Sequence, residues 1–440
     1  MSQYRAYPAY KDSGVEWIGQ VPEHWEVKPI CRVTSVNDDV LPDSTTDDTP
    51  IRYVDISSVG YMEGIKQASD MCFADAPSRA RRKASSGDVI ISTVRTYLKA
   101  VAAVTDEYAD CVFSTGFAVL RARHLDRSFL KWMVLNELLI QAIEAHSEGL
   151  SYPAINASAL VKLKSVIPPP EEQASIAATL DRETARIDAL IEKKTRFIEL
   201  LKEKRQALIT HAVTKGLDPN VKMKDSGIEW IGQVPEHWEV KPFKYILSAP
   251  MSYGANESAE SDDPNHPRYI RITDLTENGT LREDTFKTLP WDKAYSYLLS
   301  DGDILLARSG ATVGKSFLYR ETNGAACFAG YLIKASCDEE KALPKYIYAY
   351  LQSHSYWEYI SGSNIQSTIQ NVSAEKYSSM VLPVPQREEQ ATIVATLDRE
   401  TARIDALISK AEQSITLLKE RRAAFITAAV TGQIDLRGKQ

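Results

Sequence analysis

A duplicated segment constrains this chain more than any other feature of its sequence. Residues 12–29 and 225–242 carry the same phrase, DSG(V/I)EWIGQVPEHWEVKP, with one difference between the copies. A second phrase, TLDRETARIDALI, occurs at 179–191 and again at 396–408. The offsets (225 − 12 = 213 and 396 − 179 = 217) indicate two tandem modules of similar length. The sequence therefore predicts a fold with an internal repeat, in which each tryptophan-rich arm docks on the rest of its module because it is too short to bury its own indoles.

Between the repeated phrases lie two inserts, 30–170 and 243–387, which barely resemble each other. Both favour a mixed α/β fold. Strand-like runs are expected at 51–56, 87–92 and 117–122 in the first insert and at 268–273, 302–307 and 330–335 in the second, and helical stretches at 129–146 and 344–360. A repeated frame around two different inserts is typical of a protein that recognises two different targets with one geometry.

Each module ends in a long segment that contains neither glycine nor proline, at 171–214 and 388–431. One face of each segment is apolar at alternating four- and three-residue spacing, the pattern of a coiled coil. Gly216 and Gly432 follow, where a helix commonly closes in a left-handed conformation. Because such a stripe is unstable in water, we expect the two helices to pack on each other, antiparallel. The alternative is two amphipathic helices that each pack on their own domain.

Composition narrows the class of protein. With 44% hydrophobic and 25% charged residues, the chain has the composition of a soluble globular protein, and it shows no secretion signal or membrane-spanning run. The five cysteines form no CxxC pair, which favours reduced thiols in the cytoplasm over disulfides or zinc. A net charge of −7 argues against a non-specific nucleic-acid binder acting alone.

Several phrases resemble the specificity (S) subunits of type I restriction-modification systems. They are the repeated arm, PPPEEQASIAATLD at 168–181, PVPQREEQATIVATLD at 383–398, GDILLARSGATVGK at 302–315, STVRTYLKAVAAV at 92–104 and STGFAVLRA at 114–122. The resemblance covers essentially the whole chain, and both frame segments occur twice in the expected order.

The resemblance implies an α+β fold, with two mixed α/β target-recognition domains separated by a pair of long antiparallel coiled-coil helices and related by a pseudo-two-fold internal repeat. The implied segments are an N-terminal arm (1–29), a first target-recognition domain (30–170), a first long helix (171–216), a repeated arm (217–242), a second target-recognition domain (243–387), and a second long helix with a tail (388–440).

The resemblance also implies a non-catalytic subunit that directs its partners to a bipartite site in double-stranded DNA. Those partners are two methyltransferase subunits and two restriction subunits. No cofactor is expected on this chain, and S-adenosylmethionine, ATP and Mg²⁺ are expected on the partners.

The residues themselves offer no catalytic motif. No Asn/Asp-Pro-Pro-Tyr/Phe stretch and no glycine-rich S-adenosylmethionine fingerprint is present. The run SGATVGKS at 309–316 is not a phosphate loop, because Ser309 stands where such a loop needs glycine, and we expect a tight turn there. A coiled-coil scaffold with two protein-binding domains remains an alternative, and a fused methyltransferase is disfavoured.

Candidate DNA-contacting residues are polar or basic side chains next to the predicted strands, of the types that pair with guanine, adenine or phosphate. In the first insert they are Arg79, Arg81, Arg82, Lys83, Arg95 and Lys99. In the second insert they are Ser252, Tyr253, Asn256, Arg268, Arg271, Arg308 and Lys315. A surface cluster of this kind also commonly stays solvated or binds phosphate only.

Overall fold

The computed structural model describes residues 4–276, 279–363 and 371–437. The chain divides into two compact units, Met1–Thr195 with Gln413–Gln440, and Arg196–Glu412. Both boundaries fall inside the long helices, so each unit contains the beginning of one helix and the end of the other. The six segment boundaries inferred from the sequence stay a prediction.

The described part of the first unit holds a five-stranded sheet, a four-stranded sheet, three two-stranded sheets and three short helices before the first long helix. Its strands are β1 (Tyr10–Asp12), β2 (Gln20–Pro22), β3 (Glu26–Pro29), β4 (Thr34–Val36), β5 (Asp39–Val40), β6 (Pro50–Val54), β7 (Val59–Gly60), β8 (Gly64–Ile65), β9 (Ser69–Cys72), β10 (Ala80–Lys83), β11 (Val89–Ser92), β12 (Val101–Ala103), β13 (Val112–Ser114), β14 (Phe117–Ala122) and β15 (Lys164–Ile167). Its helices are α1 (Arg127–Val134), α2 (Glu137–Ala145), α3 (Ala157–Leu160) and the first part of α4 (Pro170–Lys215).

The second unit repeats this plan with fewer strands. Its strands are β16 (Met223–Asp225), β17 (Gln233–Pro235), β18 (Glu239–Pro242), β19 (Ser252–Tyr253), β20 (Arg268–Ile270), β21 (Ile304–Ala307), β22 (Ser316–Leu318), β23 (Ala326–Phe328), β24 (Leu332–Ala335) and β25 (Val381–Val384). Its helices are α5 (Trp291–Ala294), α6 (Pro344–Tyr350), α7 (His354–Ser363), α8 (Ala374–Ser379) and the first part of α9 (Arg387–Val430).

Strand order shows that the two units share a topology. The first unit has an antiparallel sheet in the order β12-β11-β14-β4, and the second has the matching order β22-β21-β24-β19. Each unit also has a parallel pair, β13 with β6 and β23 with β20. The mixed α and β content confirms an α+β fold, and the predicted strand runs are present, although that at 268–273 ends at Ile270 and continues as a 3-10 turn.

The central strand of each antiparallel sheet is buried on both faces. Val89 and Ile91 of β11 pack toward the helices, whereas Ile90 packs against the second sheet. In β21, Ile304 and Leu306 pack toward the helices, and Leu305 packs on the opposite side. Burial on both faces explains why these strands are continuous apolar runs rather than alternating ones.

Each of the two helical stretches predicted as continuous is two helices. The stretch at 129–146 breaks at Asn136, whose side chain accepts a hydrogen bond from the Leu138 amide (3.1 Å) and caps α2. The stretch at 344–360 breaks before α7, where the Ser353 hydroxyl accepts from the Tyr356 amide (3.3 Å). Asn and Ser compete with the backbone for hydrogen bonds, so they end one helix and start the next despite an unbroken apolar pattern.

The two predicted long helices, α4 and α9, are present. Gly216 and Gly432 follow them with φ of 75°, as expected of left-handed helix caps. Within the first unit, Arg422 of α9 forms an ion pair with Asp188 of α4. Within the second unit, Arg205 of α4 forms one with Asp405 of α9 (3.1 Å). Each unit therefore pairs the first part of one helix with the last part of the other.

The tryptophan-rich arm of the first unit docks on the start of α4. Trp25 is fully buried, and its indole N–H donates to Glu172 (3.0 Å). The Tyr7 hydroxyl donates to the same carboxylate (2.9 Å), and His24 Nε2 lies 2.6 Å from it. Arg437, from the chain's C-terminal end, lies 3.7 Å from that carboxylate. Docking of this arm on its own module is thus confirmed.

The arm of the second unit repeats the contact in a simpler form. Trp238 is also fully buried, and His237 Nε2 lies 2.8 Å from Glu389 at the start of α9. Among the described residues, however, the Trp238 indole N–H has no hydrogen-bond partner. The same arm sequence therefore meets a richer hydrogen-bond network in the first unit than in the second.

Candidate nucleic-acid interface

Two of the predicted arginines line one groove in the first unit. Arg79 immediately precedes β10, and Arg95 lies in the turn that follows β11. The groove has a volume of about 400 Å³ and is lined by Asp55, Ile56, Ser57, Arg79, Val94, Arg95, Leu98, Ser114, Thr115 and Gly116. Backbone amides, hydroxyls, a carboxylate and two guanidinium groups thus face one concave surface, a combination able to hydrogen-bond the edges of bases.

The two arginines in this groove are held differently. Arg79 donates to the Tyr53 hydroxyl (3.2 Å) and to Asp55 (3.2 Å), and these contacts raise the pKa of its guanidinium. Arg95 instead lies over the ring of Tyr152, 5.1 Å from its centroid, and the described part of the chain offers it no carboxylate partner. Its φ of 51° is left-handed, a strained conformation for an arginine.

The rest of the predicted basic cluster lies on β10 and is engaged with the protein. Arg81 covers the ring of Phe73 at 4.8 Å, and burial lowers the pKa of Arg82. Lys83 donates to the backbone carbonyl of Asp110 (3.0 Å). Lys99, in the turn with Arg95, lies 4.0 Å from Glu144.

In the second unit, Arg308 occupies the turn after β21. Its guanidinium lies 4.9 Å from the ring centroid of Tyr253. Its backbone N–H donates to the carbonyl of Tyr331 (3.1 Å), and its carbonyl accepts from the Val372 amide (2.8 Å). The Nε atom is buried and without a hydrogen-bond partner in the described ranges. The backbone is therefore fixed on both sides while the guanidinium stays uncommitted to any carboxylate.

The other two predicted arginines of this unit are held by internal contacts. Arg268 is almost buried, donates to Glu283 (2.9 Å) and lies over Phe286. Arg271 forms an ion pair with the buried Asp274 (2.8 Å). DNA would have to compete with these contacts for either side chain.

The polar loop beside Arg308 stays exposed. Ser252 and Tyr253 form β19, and the Tyr253 hydroxyl accepts from the Ala374 amide (3.1 Å). Asn256 is exposed and lies so close to Gly330 that a Cβ there would sit 2.1 Å from its Oδ1. A side chain at position 330 would therefore displace the Asn256 amide. Lys315, half-buried, follows the turn.

The glycines of SGATVGKS shape a tight turn, as the sequence predicts. Gly310 and Gly314 have φ of 72° and 85°, and a Cβ on Gly314 would lie 2.8 Å from Trp357. Within the described ranges no cluster of three or more His, Cys, Asp or Glu could hold a metal ion. Likewise, no described helix is long and apolar enough to cross a membrane.

Sequence reasoning missed Tyr152, the aromatic partner of Arg95, and Tyr331, whose backbone carbonyl accepts from Arg308, whereas Tyr253 was among the predicted residues. Tyr152 and Tyr331 are largely exposed tyrosines beside Arg95 and Arg308 respectively. Asp55, which holds Arg79, was also missed. No local pattern marks these residues, because each lies far along the chain from its arginine.

Known proteins resemble this chain along most of its length. Residues 235–417 match the Type I restriction modification DNA specificity domain. A putative type I restriction enzyme MjaX specificity subunit from Methanocaldococcus jannaschii is 25% identical over 96% of both chains. The StySPI specificity subunit of Salmonella potsdam is 26% identical, although that match spans 46% of this chain and only 44% of the relative. The chain is thus similar to type I restriction-modification specificity subunits.

Solved structures share the fold of this chain. One chain, from a study of complex assembly and conformational transition of the type I R-M system, covers 94% of this chain with a TM-score of 0.74 and 20% identity. The HsdS subunit from Thermoanaerobacter tengcongensis covers 94% with a TM-score of 0.52 and 22% identity. The relatives are named as specificity subunits, which agrees with the expectation that this chain is not an enzyme.

Proposed function

We propose that this chain directs a type I restriction-modification complex to an asymmetric bipartite site in double-stranded DNA. The observation that carries this proposal is one strand plan used twice with different loops. Strand orders β12-β11-β14-β4 and β22-β21-β24-β19 match, yet the first position after the central strand is Thr93 in one unit and Arg308 in the other. Two sheets of the same strand order that carry different loops favour the recognition of two half-sites of different sequence.

A pair of reciprocal ion pairs supports an antiparallel coiled coil of α4 with α9. Asp188 pairs with Arg422, and Arg205 pairs with Asp405. The repeat offset of 217 converts one pair into the other, since 188 becomes 405 and 205 becomes 422 (405 − 188 = 422 − 205 = 217). Two ion pairs related in this way are expected when a two-fold axis relates the two halves of an interface.

The proposed pseudo-two-fold matches the repeat of DNA. B-DNA presents an equivalent face about every 34 Å, so two half-sites near one helical turn apart can meet two similarly oriented readers. In this arrangement the paired helices set the distance between the half-sites.

The proposed partners are those that the resemblance to type I specificity subunits implies. Two methyltransferase subunits, and two restriction subunits where the system restricts, are proposed to dock on the helices and arms. S-adenosylmethionine, ATP and Mg²⁺ would be bound by those partners, and the target adenine would be flipped into a methyltransferase pocket rather than into this chain. A net charge of −7 is consistent with weak DNA binding by the subunit alone.

The test is methylation by a reconstituted complex. Purified full-length chain with its methyltransferase subunits and S-adenosylmethionine should methylate a two-part motif, whereas the chain alone should methylate nothing. Methylation-aware sequencing of the treated DNA returns the motif. A continuous motif without a spacer, or methyl transfer by the chain alone, would contradict the proposal.

A further inference from the structure

We propose that Arg95 and Arg308 each recognise a guanine through its O6 and N7 atoms, one in each half-site. This assignment rests on the proposed function, and it separates two base-contacting residues from the larger basic set. Both residues lie in the turn that follows the central strand of an antiparallel sheet, β11 or β21. The turns begin in the same way, because Ile155 donates to the Thr93 carbonyl (2.8 Å) as Val372 does to the Arg308 carbonyl. Arg308 therefore matches Thr93, and Arg95 lies two residues further into its own turn.

Each guanidinium is stacked on a tyrosine that is itself accessible. Tyr152 and Tyr253 are 66% and 43% exposed, so the stacked pairs lie at the protein surface. A position over the ring restricts the plane of the guanidinium and uses none of its terminal N–H donors. That edge is the part of arginine that pairs bidentately with guanine in the major groove.

The backbone beneath each arginine is also fixed. Arg308 is hydrogen-bonded through both its N–H and its carbonyl. In the first unit the neighbouring residues serve this purpose, since Thr96 donates to the Pro153 carbonyl (3.4 Å) and Val94 bridges Ala154. These contacts hold the Tyr152 loop against the Arg95 turn. A recognition residue needs such preorganisation, whereas a phosphate contact tolerates a mobile side chain.

The left-handed backbone conformation of Arg95 also supports a role in base recognition. Two residues in this short turn, Arg95 and Lys99, have positive φ without being glycine. Strain of this kind persists where the surrounding structure holds a functional side chain in place. Glycine at position 95 would relieve the strain, yet the position carries an arginine.

Competing contacts make the other predicted arginines weaker candidates. Arg79 and Arg271 are paired with Asp55 and Asp274, and Arg268 with Glu283. Pairing with a base would require each of them to leave a carboxylate. Arg95 and Arg308 would lose no such partner among the described residues.

The experiment is a methylation profile of the complete complex carrying Arg308→Lys, Arg308→Ala or Arg95→Lys. Lysine keeps the positive charge but loses the bidentate fork. The matched controls are Arg320→Lys and Arg52→Lys, whose guanidinium groups are ion-paired with Asp301 and with Asp110. Thermal unfolding of every variant checks that the fold is retained.

We expect Arg308→Lys and Arg308→Ala to relax preference at one guanine position of one half-site by about 5- to 150-fold. Arg95→Lys should do the same in the other half-site only, and the control variants should keep the original motif. If the lysine variants keep the motif while Arg308→Ala weakens methylation uniformly and lowers the salt dependence of binding, the contact is with phosphate and the assignment is wrong. If the unmodified complex shows no sequence motif, the proposed function itself fails.

Discussion

Removing the carboxylate of Glu172 should destabilise the first unit far more than removing Glu389 destabilises the second. The two residues occupy equivalent places at the starts of α4 and α9. The Glu172 side chain is 7% exposed and accepts hydrogen bonds from Trp25 and Tyr7, whereas that of Glu389 is 31% exposed and faces His237. The repeat thus supplies its own matched control.

The magnitude follows from what each substitution leaves behind. Glu172→Ala leaves the buried Trp25 indole N–H and the Tyr7 hydroxyl without an acceptor. Each unsatisfied buried donor lowers the free energy of unfolding by about 1–3 kcal/mol. Two such donors give a loss of about 2–6 kcal/mol. Glu389→Ala removes a partly exposed pair, which is worth about 0–1 kcal/mol.

Hydrogen–deuterium exchange of the full-length chain measures both effects separately. Glu172→Ala should accelerate exchange in peptides from 4–29 by about 30-fold or more, while Glu389→Ala should change peptides from 217–242 by less than about 5-fold. Glu172→Gln, which keeps one acceptor oxygen, should fall between the Glu172→Ala variant and the unmodified chain. Equal acceleration of the two arms by the two alanine variants would refute the reasoning, because it would mean that the buried hydrogen bonds of Glu172 contribute no more than the partly exposed pair of Glu389.

Three further predictions concern the repeat, the helices and the thiols. Replacing 30–170 with another family member's first insert should change one half-site of the methylated motif and leave the other intact; a change in both halves would contradict separate readers. Four residues inserted into α4 add about 6 Å and nearly keep the apolar face, so the same half-sites should be methylated with a longer gap; an unchanged gap in an active variant would exclude a ruler role. Burial raises the pKa of Cys111 to about 11 and those of Cys327 and Cys337 to about 12, so these thiols stay protonated at pH 8. A thiol reagent should therefore label the exposed Cys31 and Cys72 first. Rapid labelling of all five cysteines in the folded chain would contradict this burial.

The sequence by itself determined the repeat, the long helices and the strand runs. These features depend on residues close together in the chain: a stripe of apolar residues at helical spacing, a run of buried residues such as 89–92, or a glycine after a helix, as at Gly216. Local pattern fails where two signals compete. Asn136 ended a helix inside an apolar stretch, because its side chain caps the next helix better than it continues the first.

Only the tertiary structure decided which basic residues are available. Arg268 and Arg308 look alike in sequence, since each adjoins a strand, yet one is paired with Glu283 and the other lies on a tyrosine. The partners of Arg95 and Arg308 lie 57 and 55 residues away along the chain (152 − 95 and 308 − 253). Such pairs form because two sheets and their loops fold onto each other, and the free energy of that packing is a property of the whole unit. A guanidinium's exposure and partners therefore cannot be known from its neighbours in sequence.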